Sequence, residues 1–436
     1  MSNPPAVLGV PAHHDPSPPA ARAVAPPADG DRRASGRARA ALGDVLAHGA
    51  VEIGFQPVVD LATGRPIGYE ALARGPAAGP LEAPASLFAA ARDAGRLDEL
   101  DWLCQRSALT AALRAGLRAP SVLFLNVEAD ASGFLPLDLR SLYARATAQM
   151  IVAVEVTERA LTRRPAALLG RVAELRALGC AVGLDDVGSA EGSLAMMAVL
   201  APDVLKIDLA GARRALAPVV AAVAAQAERT GATILVERVE TTAEARLADQ
   251  LGARLAQGWL FGAREPLAAP PARPPVRPVP AAPHVDPRDV TPFALASEDR
   301  PVRRASRALL VELSRALEAR AGAMGSSGVL VGSFQRGELF DRAARRRYAA
   351  LARTLAFCGA VGAGMPDEPA RGVRGAALHA LDPLAREWTV AVVSPHASAA
   401  LTAYDLDSGD RYDYVLTHDR ELAARAATAL MARIAP

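Results

Sequence analysis

Between residues 51 and 262 the sequence changes hydrophobic period again and again. Short runs rich in β-branched and aliphatic residues appear as VEIGFQPVVDL (51–61), PIGYEAL (66–72), SVLFLNV (121–127) and IVAVEVT (151–157). They continue as CAVGLDD (180–186), DVLKID (203–208), TILVERVE (233–240) and a weaker LAQGWLFG (255–262). Between them lie longer segments of helical character, such as residues 84–116, 164–179 and 216–231. Eight β-like runs with intervening helices predict an α/β fold of the TIM-like (β/α)8 barrel type. A doubly wound open sheet is the competing architecture, but no glycine-rich phosphate loop follows the first run.

Two breaks frame this unit. Residues 1–42 are rich in Pro, Ala and charge without a periodic apolar pattern, and read as a disordered tail. Residues 268–288, LAAPPARPPVRPVPAAPHVDP to within a residue, cannot sustain a helix or central strand and read as an extended linker. The barrel unit is then 43–267 and a second unit occupies 289–436. With 51% apolar but only 4% aromatic residues, both cores must be built from Ala, Leu and Val. Charge is nearly balanced at +2, which gives no field for a nucleic-acid polymer or a membrane surface. No run approaches the ~18 apolar residues of a membrane span, and the first residues lack the pattern of a signal peptide. Cys104, Cys180 and Cys358 are far apart and in no metal-type spacing, which fits a reducing cytoplasm.

The polar residues within the β-like runs gather at their ends: Glu70, Asn126, Glu155, Asp185, Asp186, Lys206, Glu237 and Glu240. Lys206 is the sole lysine of the chain, and Asn126 the sole asparagine outside the tail. Singly, each could be a solvated loop residue or a helix cap. In a barrel, however, the C-terminal strand ends converge on one mouth. So many carboxylates there repel one another unless cations compensate. Hard divalent ions such as Mg²⁺ or Mn²⁺ favour carboxylate and amide oxygens. A two-metal site of that kind suits phosphodiester hydrolysis.

In these same runs the chain resembles the EAL domain, the family of cyclic di-GMP-specific phosphodiesterases. The matching stretches, in order, are FQPVVDL (55–61), GYEALAR (68–74), FLNV (124–127) and EVTE (155–158). They go on through LDD (184–186), LKID (205–208), VE-x-VE (236–240) and QGW (257–259). The resemblance implies that Glu70, Asn126, Glu155 and Asp185 hold one metal and that Asp186 holds or bridges to the second. It implies that Lys206 orients the attacking water, Glu237 is the general base and Gln257 a further catalytic-site polar group. Glu158 matches the glutamate that anchors the loop after Asp186, while Gln56 and Arg74 match positions that contact the dinucleotide. The implied reaction opens one bond of cyclic di-GMP to give linear pGpG, and a homodimer through the barrel is implied with it. Two departures bear on activity: the loop Val187–Ser193 reads VGSAEGS, and Arg238 stands where the family has a glycine. They support the alternative of a weak or silent barrel acting as a cyclic di-GMP receptor or scaffold.

Residues 289–436 predict a long amphipathic helix carrying Leu310, Leu313 and Leu317. Strands near 328–334, 357–365, 388–395, 400–406 and 412–419 and a final helix from Glu421 complete an α/β or α+β module. This half resembles the DICT sensory domain through TPFAL (291–295), PVRRASRALL (301–310), SFQ (333–335), RRRYAAL (345–351) and VLTHDR (415–420). The resemblance implies a regulatory module with a ligand or signalling partner of its own. No nucleophile–base pair or metal cluster is legible there.

Overall fold

The computed structural model describes residues 29–128, 135–157, 162–189, 192–212, 216–267, 285–406 and 410–435. Eight strands close a barrel in chain order. They are β1 (Glu52–Asp60), β2 (Pro66–Arg74), β3 (Val122–Asn126), β4 (Ile151–Thr157), β5 (Ala181–Val187), β6 (Val204–Asp208), β7 (Thr233–Glu237) and β8 (Leu255–Gln257). Each β-like run of the sequence supplies one of them.

The pairings β2 to β8 are parallel, but β1 runs antiparallel to both β2 and β8. Connection length is the cause. Only residues 61–65 separate β1 from β2, and a parallel pair needs a crossover of about a dozen residues or more. The Asp60 carboxylate accepts the Thr63 N–H at 3.0 Å and Gly64 supplies the positive φ of the turn. Gly68, next along β2, must be a glycine: a Cβ there would lie 2.0 Å from the Val122 carbonyl oxygen on β3.

Helices wrap the barrel: α1 (Asp29–His48), α2 (Pro84–Asp93), α3 (Leu97–Arg114), α4 (Leu137–Thr147), α5 (Pro165–Ala177), α6 (Ser193–Leu200), α7 (Leu209–Ala212), α8 (Leu216–Thr230) and α9 (Thr242–Gln250). Helix α1 corrects the expectation of a tail without structure through residue 42. Leu42 is fully buried, in one cluster with Leu87, Leu100 and Cys104 of α2 and α3. The apolar contacts of its last turns outweigh the poor local pattern that precedes them. Most of the expected linker, 268–284, lies outside the described residues.

The second unit is a seven-stranded sheet in the order β12-β11-β10-β13-β14-β15-β9. Its strands are β9 (Arg303–Ser306), β10 (Val329–Arg336), β11 (Phe357–Ala363), β12 (Arg374–Ala377), β13 (Glu387–Val393), β14 (Ser398–Asp405) and β15 (Arg411–Thr417). The helices are α10 (Pro292–Asp299), α11 (Arg307–Gly322), α12 (Arg342–Leu351) and α13 (Arg420–Met431). The short β9 and β12 are not legible as strands in the sequence. Alternation divides the sheet into two faces. Leu330, Val390, Val392 and Leu401 pack with α11 and α12. Val329, Val331, Ala391, Val393 and Ala400 pack with α13, in one cluster with the barrel's outer core.

That continuity places α13 against α6. The Thr428 hydroxyl donates to the Val199 carbonyl at 3.0 Å, and the Ala166 N–H donates to the Ile434 carbonyl at 3.1 Å. Arg374 adds hydrogen bonds to the carbonyls of Thr162 and Arg163, at 3.3 and 2.8 Å. The two units share a core.

Candidate active site

The barrel interior is apolar at one end, where Val58, Val122, Phe124, Ala153, Ala181, Val204, Leu235 and Leu255 meet. Side chains two residues apart on a strand share a face. On the parallel strands, stepping toward the C-terminal mouth from this layer reaches Asn126, Glu155, Lys206, Glu237 and Gln257. On β5 the same face reaches Gly183 and then Asp185. On antiparallel β1 the same step runs backward along the chain, from Val58 to Gln56. One apolar layer with a polar layer above it accounts for most of the constellation.

Lys206 is at its centre and only 1% exposed. Its Nζ lies 2.7 Å from Glu237, 2.8 Å from Glu155, 3.4 Å from Glu70 and 3.5 Å from Asp185. Gln257 donates from Nε2 to Glu70 at 2.7 Å and to the Gln56 side-chain oxygen at 3.0 Å, while Asn126 donates to the other Glu70 oxygen at 2.8 Å. The two oxygens of Glu155 are buried and have no hydrogen-bond partner among the described residues.

Asp185 and Asp186 are consecutive, so a regular strand would point them to opposite faces. The β5–β6 register breaks between Leu184 and Val187, and Asp186 takes a left-handed φ of 55°. This bulge brings both carboxylates to one side. Oxygens of Asp185, Asp186 and Glu237 all lie within 4.8 Å of one another.

Electrostatics report an excess of negative charge. Burial raises Glu155 well above the usual carboxylate range, with Lys206 opposing and the neighbouring carboxylates reinforcing. Burial raises Glu237 to about 8 against the pull of Lys206, and burial together with Asp185 raises Asp186. Burial alone would lower Lys206, but Glu155, Glu237, Glu70 and Asp185 outweigh it and hold the ammonium charged.

Beside this cluster a cavity of about 340 Å³ is lined by Arg74, Asp101, Asn126, Glu128, Glu155 and Arg264. Arg74 is exposed at the end of β2 and lines that cavity, which Asn126 and Glu155 of the cluster also border. Of the residues singled out in the sequence, Gln56, Glu70, Asn126, Glu155, Asp185, Asp186, Lys206, Glu237 and Gln257 are brought together at one mouth. Glu158 lies outside the described residues, as do Ala190 and Glu191 of the loop after Asp186.

Three residues were not legible as site residues. Asp101 sits on α3 rather than a strand end; burial raises it to about 7, and it accepts from the Glu128 N–H at 3.1 Å. Arg264 lies beyond the last β-like run. Asp208 closes the LKID run and forms an ion pair with Arg238 at 3.2 Å. Arg238 thus turns to Asp208 and not to Glu237 or Glu240, with 65% of its side chain exposed. Its φ of 54° accounts for the preference for glycine at this place.

The EAL domain model matches residues 39–264, and the model for the sensory domain in diguanylate cyclases and two-component systems (DICT) matches 291–406. The chain is 31% identical over 238 residues to the cyclic di-GMP phosphodiesterase RocR of Pseudomonas aeruginosa, covering 50% of this chain and 58% of that protein. It is 30% identical over 244 residues to an uncharacterized protein of Azorhizobium caulinodans, covering 52% of this chain and 33% of that protein. The manganese/cyclic di-GMP complex of Klebsiella pneumoniae BlrP1 is 26% identical with a TM-score of 0.43, covering 49% of this chain and 56% of that one. The chain thus spans about a third of the length of the first curated relatives it matches. Among the described residues no helix is long and apolar enough to cross a membrane. With the family model covering 39–264 of 436 residues, just over half, the chain belongs to the EAL domain family and carries a DICT domain after its barrel.

Proposed function

We propose that this chain is a divalent-metal-dependent phosphodiesterase that opens cyclic di-GMP to linear pGpG under the control of its C-terminal domain. The observation that carries the reading is the buried excess of carboxylate at the barrel mouth. Glu70, Glu155, Asp185, Asp186 and Glu237 face a single lysine, and both buried oxygens of Glu155 depend on that ammonium, 2.8 Å from Oε1, for compensation. That donor set fits a hard divalent cation such as Mg²⁺ or Mn²⁺. Glu70, Asn126, Glu155 and Asp185 would hold one ion and Asp186, within reach of Glu237, a second. When bound, the ions supply Lewis acidity toward a phosphate oxygen and lower the pKa of a water.

The chain's own residues do the rest. Lys206, the ammonium at the centre of these carboxylates, orients the attacking water. Glu237, 2.7 Å from that lysine, accepts the water's proton. Attack on phosphorus in line with the ester breaks one P–O bond and leaves a 5′-phosphate. Arg74 and Gln56 hold the dinucleotide, the arginine through a two-pronged grip on phosphate. Gln257 keeps Glu70 and Gln56 in place through its amide.

Regulation would run through α13. It packs on α6, the helix that begins just after the loop following Asp185 and Asp186. A shift of α13 therefore bears on the segment that carries the bulge. A homodimer through the barrel and a cytoplasmic setting belong to the same reading. The receptor alternative loses one of its two supports, since Arg238 is engaged with Asp208 rather than Glu237. The test is incubation of the full chain with cyclic di-GMP and Mg²⁺ or Mn²⁺. Appearance of pGpG, abolished by a chelator, is expected; binding without product would select the receptor.

A further inference from the structure

The sheet of the second unit has a cavity of about 100 Å³ on the face away from the barrel, between α11, α12 and strands β10, β13 and β15. Its depth is polar. Ser314 on α11 is 5% exposed and its hydroxyl has no hydrogen-bond partner among the described residues. A serine inside a helix ordinarily satisfies itself on the carbonyl four residues back, and leaving it unpaired costs on the order of 1–3 kcal/mol. Next to it Glu318, 4% exposed, pairs with Arg347 at 2.6 Å.

The middle of the cavity is aromatic. Phe334, Trp388 and Tyr412 line it, and Trp388 meets Tyr412 edge to face at 5.8 Å. That arrangement leaves one half-buried indole available for a ring to pack against. The mouth carries two arginines and one exposed carboxylate, Asp341, which caps α12. Arg307 and Arg315 are exposed on the rim, with no ion-pair partner among the described residues. Arg300, Arg304 and Arg347 of the same unit are each tied to a carboxylate.

We infer that this cavity is a ligand site for a small aromatic carboxylate, its ring against Phe334, Trp388 and Tyr412, its carboxylate at Arg307 and Arg315, and a polar substituent reaching Ser314. The volume of about 100 Å³ excludes a nucleotide and is below the about 150 Å³ of an apolar cavity known to hold one benzene ring, so the ring would enter only in part, with the carboxylate outside in the mouth. A neutral aromatic would leave the two arginines unused, and an aliphatic acid would forgo the aromatic walls. Gln335, which also lines the cavity, takes a left-handed φ of 53° where β10 breaks register. The opposite face of the same sheet carries α13, so the site lies one sheet thickness from the contact with the barrel. The inference concerns binding alone and does not depend on turnover by the barrel.

The experiment titrates the full chain with 4-hydroxybenzoate and with benzoate, followed by calorimetry and by tryptophan fluorescence. Saturable one-to-one binding at or below about 1 mM is expected, with 4-hydroxybenzoate the tighter. Phenol and cyclohexanecarboxylate should bind at least about tenfold more weakly. Ser314→Ala should weaken 4-hydroxybenzoate about 5- to 10-fold and leave benzoate nearly unchanged. The surface variant Arg307→Gln/Arg315→Gln, which leaves the core intact, should weaken both acids about tenfold or more. Absence of saturable binding by either acid below about 10 mM would overturn the inference. So would binding that the arginine pair does not affect, in a variant whose melting matches the parent.

Discussion

Lys206→Met tests the electrostatic account of the barrel mouth most directly. The substitution keeps most of the length of the buried side chain and removes its charge. Four carboxylates, those of Glu70, Glu155, Asp185 and Glu237, then lose the ammonium that lies 2.7–3.5 Å from each. Glu155 suffers most, since both of its oxygens are buried without a hydrogen-bond partner among the described residues. Removing one member of a buried charge pair costs about 3–5 kcal/mol. At about 2–4 °C per kcal/mol for a domain of this size, the metal-free variant should melt roughly 6–20 °C below the parent at pH 8. A divalent ion that binds only the folded barrel stabilises by about 2.7 kcal/mol at a hundred times its dissociation constant. Much of the loss should therefore return with Mn²⁺. The assay is circular-dichroism melting in chelator and then in excess metal. A metal-free variant that melts with the parent would refute the claim that Lys206 balances the cluster. The sign with pH follows. Glu237 is raised to about 8 in the fold, so its protonated form is the one the fold favours. That contribution is complete below the ordinary range near pH 4–5 and is lost as pH rises through 8. Metal-free protein should thus melt lower at pH 8 than at pH 5.5.

Three further outcomes are expected. Arg238→Gly relieves a left-handed backbone worth about 1 kcal/mol while losing a largely exposed ion pair worth about 0–1 kcal/mol. Stability should move by less than about 1 kcal/mol and turnover by less than about twofold; a tenfold rise in turnover, about 1.4 kcal/mol of barrier, would mean the arginine does restrain Glu237. Glu387, 3% exposed and raised to about 7 by burial, favours its protonated form in the fold. Its contribution is full near pH 4.5 and is lost as pH climbs through 7, so Glu387→Gln should flatten the melting-versus-pH curve there by about 3 kcal/mol; an unchanged slope would count against the assignment. Thr428→Arg places a long charge where a hydroxyl meets Val199. Amide exchange along α6 should rise about tenfold or more, with turnover altered; exchange that stays as slow as in the parent would show that α13 does not hold α6.

The barrel and the strand-end residues of its site were legible in the sequence because both rest on local periods; Gln56, Arg74 and Gln257 were named only by the family resemblance. A period of two along each run sets which residues face inward, and the direction of a parallel strand sets which end reaches the mouth. Asn126, Glu155, Lys206 and Glu237 could therefore be placed together before any contact was known. Even the antiparallel β1 is implicit in a connection of five residues. Other features depend on partners distant in the chain, and no local pattern encodes them. Leu42 looks like tail until α2 and α3 cover it. Asp185 and Asp186 act on one side only because β5 bulges against β6. Arg238 finds Asp208 because a left-handed backbone turns it that way. The contact of α13 with α6 and the unpaired Ser314 hydroxyl arise from packing after the chain has closed. Closure of the barrel and docking of the second sheet select among many arrangements that local periodicity leaves equal, and only tertiary structure could decide them.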